Sequence, residues 1–133
     1  MIFIDTSAFY ALFDRDDKHH RSAARAWEAI RDTPGQLACS NYILLETIAL
    51  LQNRLGMPTV QDFIGLTSFI PVYWVTIEQH NQAVSALLTA ARRGLSLVDC
   101  TSFDIMRSQG IRTAFTFDAH FAELGFTCIP SND

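Results

Sequence analysis

Lysine is nearly absent from this chain: Lys18 stands alone beside nine arginines, against 14 acids, for a net charge of −4. A protein that holds nucleic acid by phosphate neutralisation alone needs a basic surplus, so that class is excluded. A nuclease whose acids hold cations is not, because a bound cation reverses the local field. Cysteine is scarce too. Cys39, Cys100 and Cys128 are widely spaced and form no C-x-x-C. That excludes a disulfide framework and a cysteine zinc site, and free thiols fit a reducing, cytoplasmic setting. No apolar run is long enough to span a membrane. The first run has no basic region before it and is cut short by Asp5, which is no signal-peptide pattern. Phosphate-cradling loops of the types G-x-x-x-x-G-K-[ST] and G-x-G-x-x-G are missing. So are repeats, low-complexity tracts and linkers.

What remains describes one domain over residues 1–133, with 49% hydrophobic residues and enough length for a real core. A short strand is expected at 2–5 and a helical turn at 7–13. Ala23, Ala24, Trp27 and Ile30 give 19–31 helical spacing, and Pro34-Gly35 ends it. LACS (37–40) reads as a strand. NYILLETIALLQNRLG (41–56) is apolar on nearly every face and reads as a largely buried helix. Pro58 opens a helix to about Phe69, and VYWVTI (72–77) has the β-branched and aromatic content of a strand. Helices over 78–93, stopped by Gly94, and 96–110 follow. TAFTF (113–117), DAHFAELG and FTCI (126–129) read as strand, short helix and strand. This alternation predicts an α/β fold, a mostly parallel sheet between helical layers. Sites in such sheets lie beyond the carboxyl ends of the strands.

Four acids bear on that edge. Asp5 ends the first strand and also reads as a helix N-cap. Glu46 lies inside the apolar helix, where an unpaired carboxylate is too costly to bury; the plainer reading is an exposed stripe with Asn53. Asp99 completes a capping box with Ser96, and Ser102 shares its face of the helix. Asp118 follows TAFTF and again suits an N-cap, with Thr116 two residues before it. Oxygen ligands of this kind suit Mg²⁺ or Mn²⁺. Such ions serve phosphoryl chemistry by polarising the phosphate and acidifying water. Clustered acids repel one another, so at least one pKa is expected to rise. Asp104, five residues past Asp99, faces elsewhere and reads as a solvated acid.

In FIDTSAFYAL, YILLETIALL, LSLVDCTSF and FTFDAHF the chain resembles the PIN-domain family, specifically its small VapC-like toxins, over nearly its whole length. The resemblance implies an α/β/α sandwich and a metal-dependent ribonuclease using Mg²⁺ or Mn²⁺. Asp5, Glu46, Asp99 and Asp118 map onto the family's acidic quartet, with Asp118 the more peripheral, and Thr6 and Thr116 onto its supporting hydroxyls. It further implies an RNA substrate, a small antitoxin partner and a homodimer. Residues 60–75 offer apolar side chains for an interface, which core packing explains equally well.

Other phosphate chemistries fit less well. A haloacid-dehalogenase phosphatase would place D-x-D-x-T after strand one, and both that class and receiver domains use a late lysine. Cys100 and Arg107 are one residue too far apart for a C-x₅-R phosphatase loop. His19 and His20 sit in a polar turn, and His120 reads as a surface helix residue. A catalytically silent module that binds RNA or protein is the second reading, weighed down by its intact quartet. Arg92, Arg93, Arg107 and Arg112 are candidates to line an RNA path, although the first pair also reads as a solvated helix end.

Overall fold

The computed structural model describes residues 1–131. Five short parallel strands form its centre: β1 (Ile2–Ile4), β2 (Leu37–Ser40), β3 (Val72–Tyr73), β4 (Thr113–Phe115) and β5 (Thr127–Ile129). Their order is β3-β2-β1-β4-β5, and every pairing is parallel. Seven helices surround them: α1 (Thr6–Phe13), α2 (His20–Ile30), α3 (Asn41–Arg54), α4 (Met57–Thr67), α5 (Ile77–Ala90), α6 (Leu97–Gln109) and α7 (Ala119–Glu123). The expected α/β architecture is therefore present. The central strands are continuous apolar runs because helices cover both of their faces. Phe3, Ile4, Leu37, Ala38, Ala114 and Phe115 are wholly buried.

Strand order sets the site. The chain runs from β1 outward through β2 to β3, then returns to the other side of β1 for β4 and β5. The switch point lies between β1 and β4, where neighbouring loops part and leave a crevice at the carboxyl ends. Asp5 leaves β1 there, with its N–H on the Phe115 carbonyl at 3.0 Å.

Three elements differ from expectation. β3 is two residues long, not six. It pairs only with the end of β2, and beyond Tyr73 the Val75 N–H is taken by Asn41 Oδ1 at 2.8 Å. Thr76 then caps α5 in a reciprocal box with Gln79, so local capping overrides the β-propensity of VTI. α5 stops at Ala90 through a left-handed Ala91 at φ 49°, three residues before Gly94. α3 is only one-sidedly buried: Ile43, Thr47 and Leu51 face the core, while Leu45 and Ala49 face solvent. Its apolar composition exceeds what one layer of this domain covers.

Candidate active site

Asp5 is 4% exposed, and one of its oxygens is heavily occupied. Oδ2 accepts from Ser7 Oγ at 2.7 Å, Thr116 Oγ1 at 3.0 Å and the Ser7 N–H at 3.3 Å. Each hydroxyl has one proton to give. Since both give it to Asp5, their 3.2 Å mutual contact is not a further hydrogen bond. Each hydroxyl accepts from the backbone instead: Ser7 from Phe117 N–H at 2.9 Å, Thr116 from Asp118 N–H at 3.0 Å. The β4–α7 loop is thus wired through two hydroxyls into one carboxylate oxygen. Oδ1 accepts no hydrogen bond among the described residues.

Asp99 and Asp118 divide their oxygens in the same way. Asp99 Oδ2 accepts the Ser96 N–H at 3.0 Å in the expected capping box. Asp118 Oδ1 accepts the His120 N–H at 2.9 Å and caps α7. Capping and site membership, rival readings in the sequence, coexist in one side chain. The N-termini of α1 and α6 also present positive dipole ends to these carboxylates.

Burial and charge act together here. Asp5 is pushed up from 3.8 to about 6, first by desolvation and then by the Asp99 charge, against the lowering effect of its hydroxyl donors. Asp99 is raised as well, again mainly by burial, with the Asp118 charge adding. A raised pKa was expected from repulsion; burial is the larger cause.

Among the described residues, one metal-capable group forms: Asp99, Asp118 and His120, with one ligand atom each within 4.8 Å of the others. Asp118, expected as the more peripheral of the four acids, is one of the three. His120 is not a surface residue, since its side chain is 15% exposed. Glu46 is half-buried on α3 and lies outside the group, as does Asp5. Thr47, next to Glu46, donates to Thr6 Oγ1 at 3.3 Å and ties α3 to the start of α1. Thr6 therefore faces α3, and Ser7 occupies the hydroxyl position beside Asp5. Ser102 is fully buried, and its Oγ has no hydrogen-bond partner among the described residues. Ser7 and His120 stand beside these acids without being expected there from the sequence. Ser7 was legible as the residue two after an Asx N-cap, within reach of its side chain.

The arginines separate into two groups. Arg92 and Arg93 are exposed beside the acids: a Cβ on neighbouring Gly94 would stand 3.6 Å from His120 Cε1. Arg92 pairs with Glu123 at 3.0 Å. Arg107 sits over the Phe126 ring near the C-terminus of α6, and Arg112 precedes β4, both toward the opposite sheet edge.

Thr116→Val tests the wiring. It removes a donor to Asp5 and strands the Asp118 N–H, a loss of about 1–3 kcal/mol. The acid limb of the activity profile should move to higher pH, and Thr116→Ser should restore it. An unmoved profile would mean the hydroxyl does not tune Asp5.

A PIN domain family model matches residues 2–127. The 23S rRNA-specific endonuclease VapC20 of Mycobacterium tuberculosis is 38% identical over 128 residues, which is 95% of both chains. Its crystal structure, described as a Sarcin-Ricin loop cleaving toxin, superposes with a TM-score of 0.85 at 36% identity, covering 96% of this chain and 97% of that one. PAE2754 from Pyrobaculum aerophilum shares the fold at a TM-score of 0.63 and 20% identity, over 96% of this chain and 88% of its own. An Asp at the end of β1, a boxed Asp opening α6 and an Asp after β4, on one all-parallel sheet of this order, are thus joined by a match across nearly the whole sequence, and the chain belongs to the PIN domain family.

Proposed function

We propose that this protein is a divalent-metal-dependent endoribonuclease that hydrolyses a phosphodiester of ribosomal RNA within a loop of the sarcin–ricin type, as the toxin of a toxin–antitoxin pair. The observation that carries the reading is the convergence of Asp99 and Asp118, with electrostatically coupled Asp5, at the β1/β4 switch point. The relative whose structure superposes over nearly the whole chain cleaves that RNA loop.

The donor set fits a divalent cation. Among the described residues, Asp5 Oδ1 carries no hydrogen bond, and the second oxygens of Asp99 and Asp118 are likewise free of protein donors. Asp5, Asp99 and Asp118 would hold Mg²⁺ or Mn²⁺, with Glu46 acting through water from α3. When bound, the ion supplies Lewis acidity: it polarises the phosphodiester and acidifies water. The chain supplies position and field. Ser7 and Thr116 fix the Asp5 carboxylate through its Oδ2. The buried carboxylates gather negative charge that attracts the cation, and Arg93, with no ion-pair partner among the described residues, offers charge to the RNA backbone.

An oligonucleotide with the sarcin–ricin loop, incubated with protein and Mn²⁺, should be cut at one position, and a scrambled loop should survive. Equal cutting of both would contradict the substrate while sparing the chemistry. Expression should arrest growth, and a small antitoxin encoded beside the chain should relieve it.

The exposed apolar side chains suit a homodimer. Leu45, Trp74, Ile77 and Leu88 are 69%, 73%, 78% and 73% exposed. Asn41 and Tyr42 hydrogen-bond to Val75 and His80, which places the first turns of α3 and α5 side by side. Ile77 and Leu88, three turns apart, share a face of α5. Scattered exposed apolar residues are normal, and large ones left exposed on two neighbouring helices suit burial by a second copy. Trp74→Glu should convert a dimer to a monomer in sedimentation velocity; an unchanged sedimentation coefficient would place the interface elsewhere.

A further inference from the structure

His120 occupies a place that capping alone does not require. Its Nδ1 is 2.9 Å from Asp118 Oδ1 and 4.0 Å from Asp99 Oδ2. At 2.9 Å an N–H would ordinarily donate to the carboxylate. The alignment here does not allow it, and Nδ1 is buried from solvent with no hydrogen-bond partner among the described residues. Both nearby oxygens are already engaged, Asp118 Oδ1 by the His120 N–H and Asp99 Oδ2 by the Ser96 N–H. Buried polar atoms in folded proteins almost always find a partner. A ring nitrogen and two carboxylates therefore converge within 4.8 Å of one another, and the nitrogen alone of these groups finds no hydrogen-bond partner among the described residues. A second orphan lies on the same helix face as Asp99: Ser102 Oγ, one turn further on, is buried and unpartnered too. An unpartnered ring nitrogen held among two carboxylates calls for a guest that accepts lone pairs.

We propose that His120 Nδ1 is a direct metal donor, so that Asp99, Asp118 and His120 form a mixed nitrogen–oxygen set favouring Mn²⁺ or Co²⁺ over Mg²⁺. The proposal rests on the metal-dependent reading above and adds to it a ligand and a preference. Imidazole is a poor donor for Mg²⁺, which keeps oxygen ligands and water, and a better one for first-row transition ions. Coordination uses the neutral ring with its proton on Nε2, which leaves the Nδ1 lone pair toward the acids.

The test is spectroscopic and calorimetric. EDTA-stripped wild type is loaded with Mn²⁺ and studied by pulsed electron paramagnetic resonance. A ¹⁴N coupling from a ligating imidazole is expected, and it should vanish in His120→Gln. In calorimetry that substitution should weaken Mn²⁺ about tenfold or more, with Mg²⁺ changed far less. Should His120→Gln fail to fold, the wild-type coupling and its change on ¹⁵N-histidine labelling decide the matter alone. Bound Mn²⁺ without nitrogen coupling, or equal weakening of both ions, overturns the role of His120 and leaves the acidic site intact. A protein that binds no Mn²⁺ at all overturns both this proposal and the metal-dependent reading.

Discussion

Asp5→Asn is expected to abolish RNA cleavage and, in the absence of metal, to stabilise the fold. The two effects share one cause. Burial and the Asp99 charge hold Asp5 at about 6 instead of 3.8, which corresponds to about 3 kcal/mol set against its ionised form. At neutral pH the metal-free protein bears that cost. The amide carries no charge, keeps an oxygen for the Ser7 and Thr116 hydroxyls, and caps α1 nearly as well as a carboxylate. Its melting temperature in EDTA should therefore exceed that of the wild type by several degrees. Cleavage should fall about a thousandfold or more, because a charged cation ligand is worth several kcal/mol in the transition state. A structural residue would behave the other way, with lost activity following lost stability. Calorimetry beside a cleavage assay distinguishes the two.

The second large effect is a reversal of pH dependence by metal. An acid whose folded pKa is raised binds more protons in the native than in the unfolded state between the two values. Stability then falls as pH rises through that window. For Asp5 the window runs from 3.8 to about 6, and Asp99 is displaced in the same direction. Metal-free protein should thus be more stable near pH 5 than near pH 7. Asp14, lowered chiefly by the Tyr10 hydroxyl, has the opposite sign, but its contribution is lost only below the ordinary carboxylate range and does not enter this window. A divalent cation binds the deprotonated carboxylates, so its stabilisation grows as they ionise. At a hundred times its dissociation constant it adds about 2.7 kcal/mol. In millimolar Mn²⁺ the slope between pH 5 and 7 should flatten or turn upward. Parallel curves with and without metal would show that these carboxylates do not hold it.

Much of this arrangement could be read from residue types and spacing, and the failures have particular causes. Asp5, Asp99 and Asp118 sit at element boundaries, which local signals mark: a strand end, an S-x-x-D box and a strand–helix turn. Their capping roles are visible in the sequence, and the parallel sheet then brings their other oxygens to one edge. Glu46 was judged from the apolar residues around it. Those residues include Leu45 and Ala49, which solvent reaches, so the density of apolar letters overstated the burial of α3. His120 departs from its expected surface position for the opposite reason. A polar residue in a five-residue helix looks solvated, yet the α5–α6 loop folds over it at Gly94, a contact between distant segments that no local pattern records. VTI was given to a strand because β-propensity outweighed the T-x-x-Q box that in fact opens α5.

The proposed dependence of RNA cleavage on a divalent cation, which carboxylates at the β1/β4 switch point would hold, can be measured directly. Its most direct measurement is cleavage of a sarcin–ricin loop oligonucleotide by EDTA-stripped protein to which Mn²⁺ is restored in steps, with Asp5→Asn in parallel. The account predicts no cutting without metal, recovery that saturates with Mn²⁺ in the wild type, and none in Asp5→Asn. Cutting that persists in EDTA, or returns in Asp5→Asn at the same Mn²⁺ concentration, would contradict it.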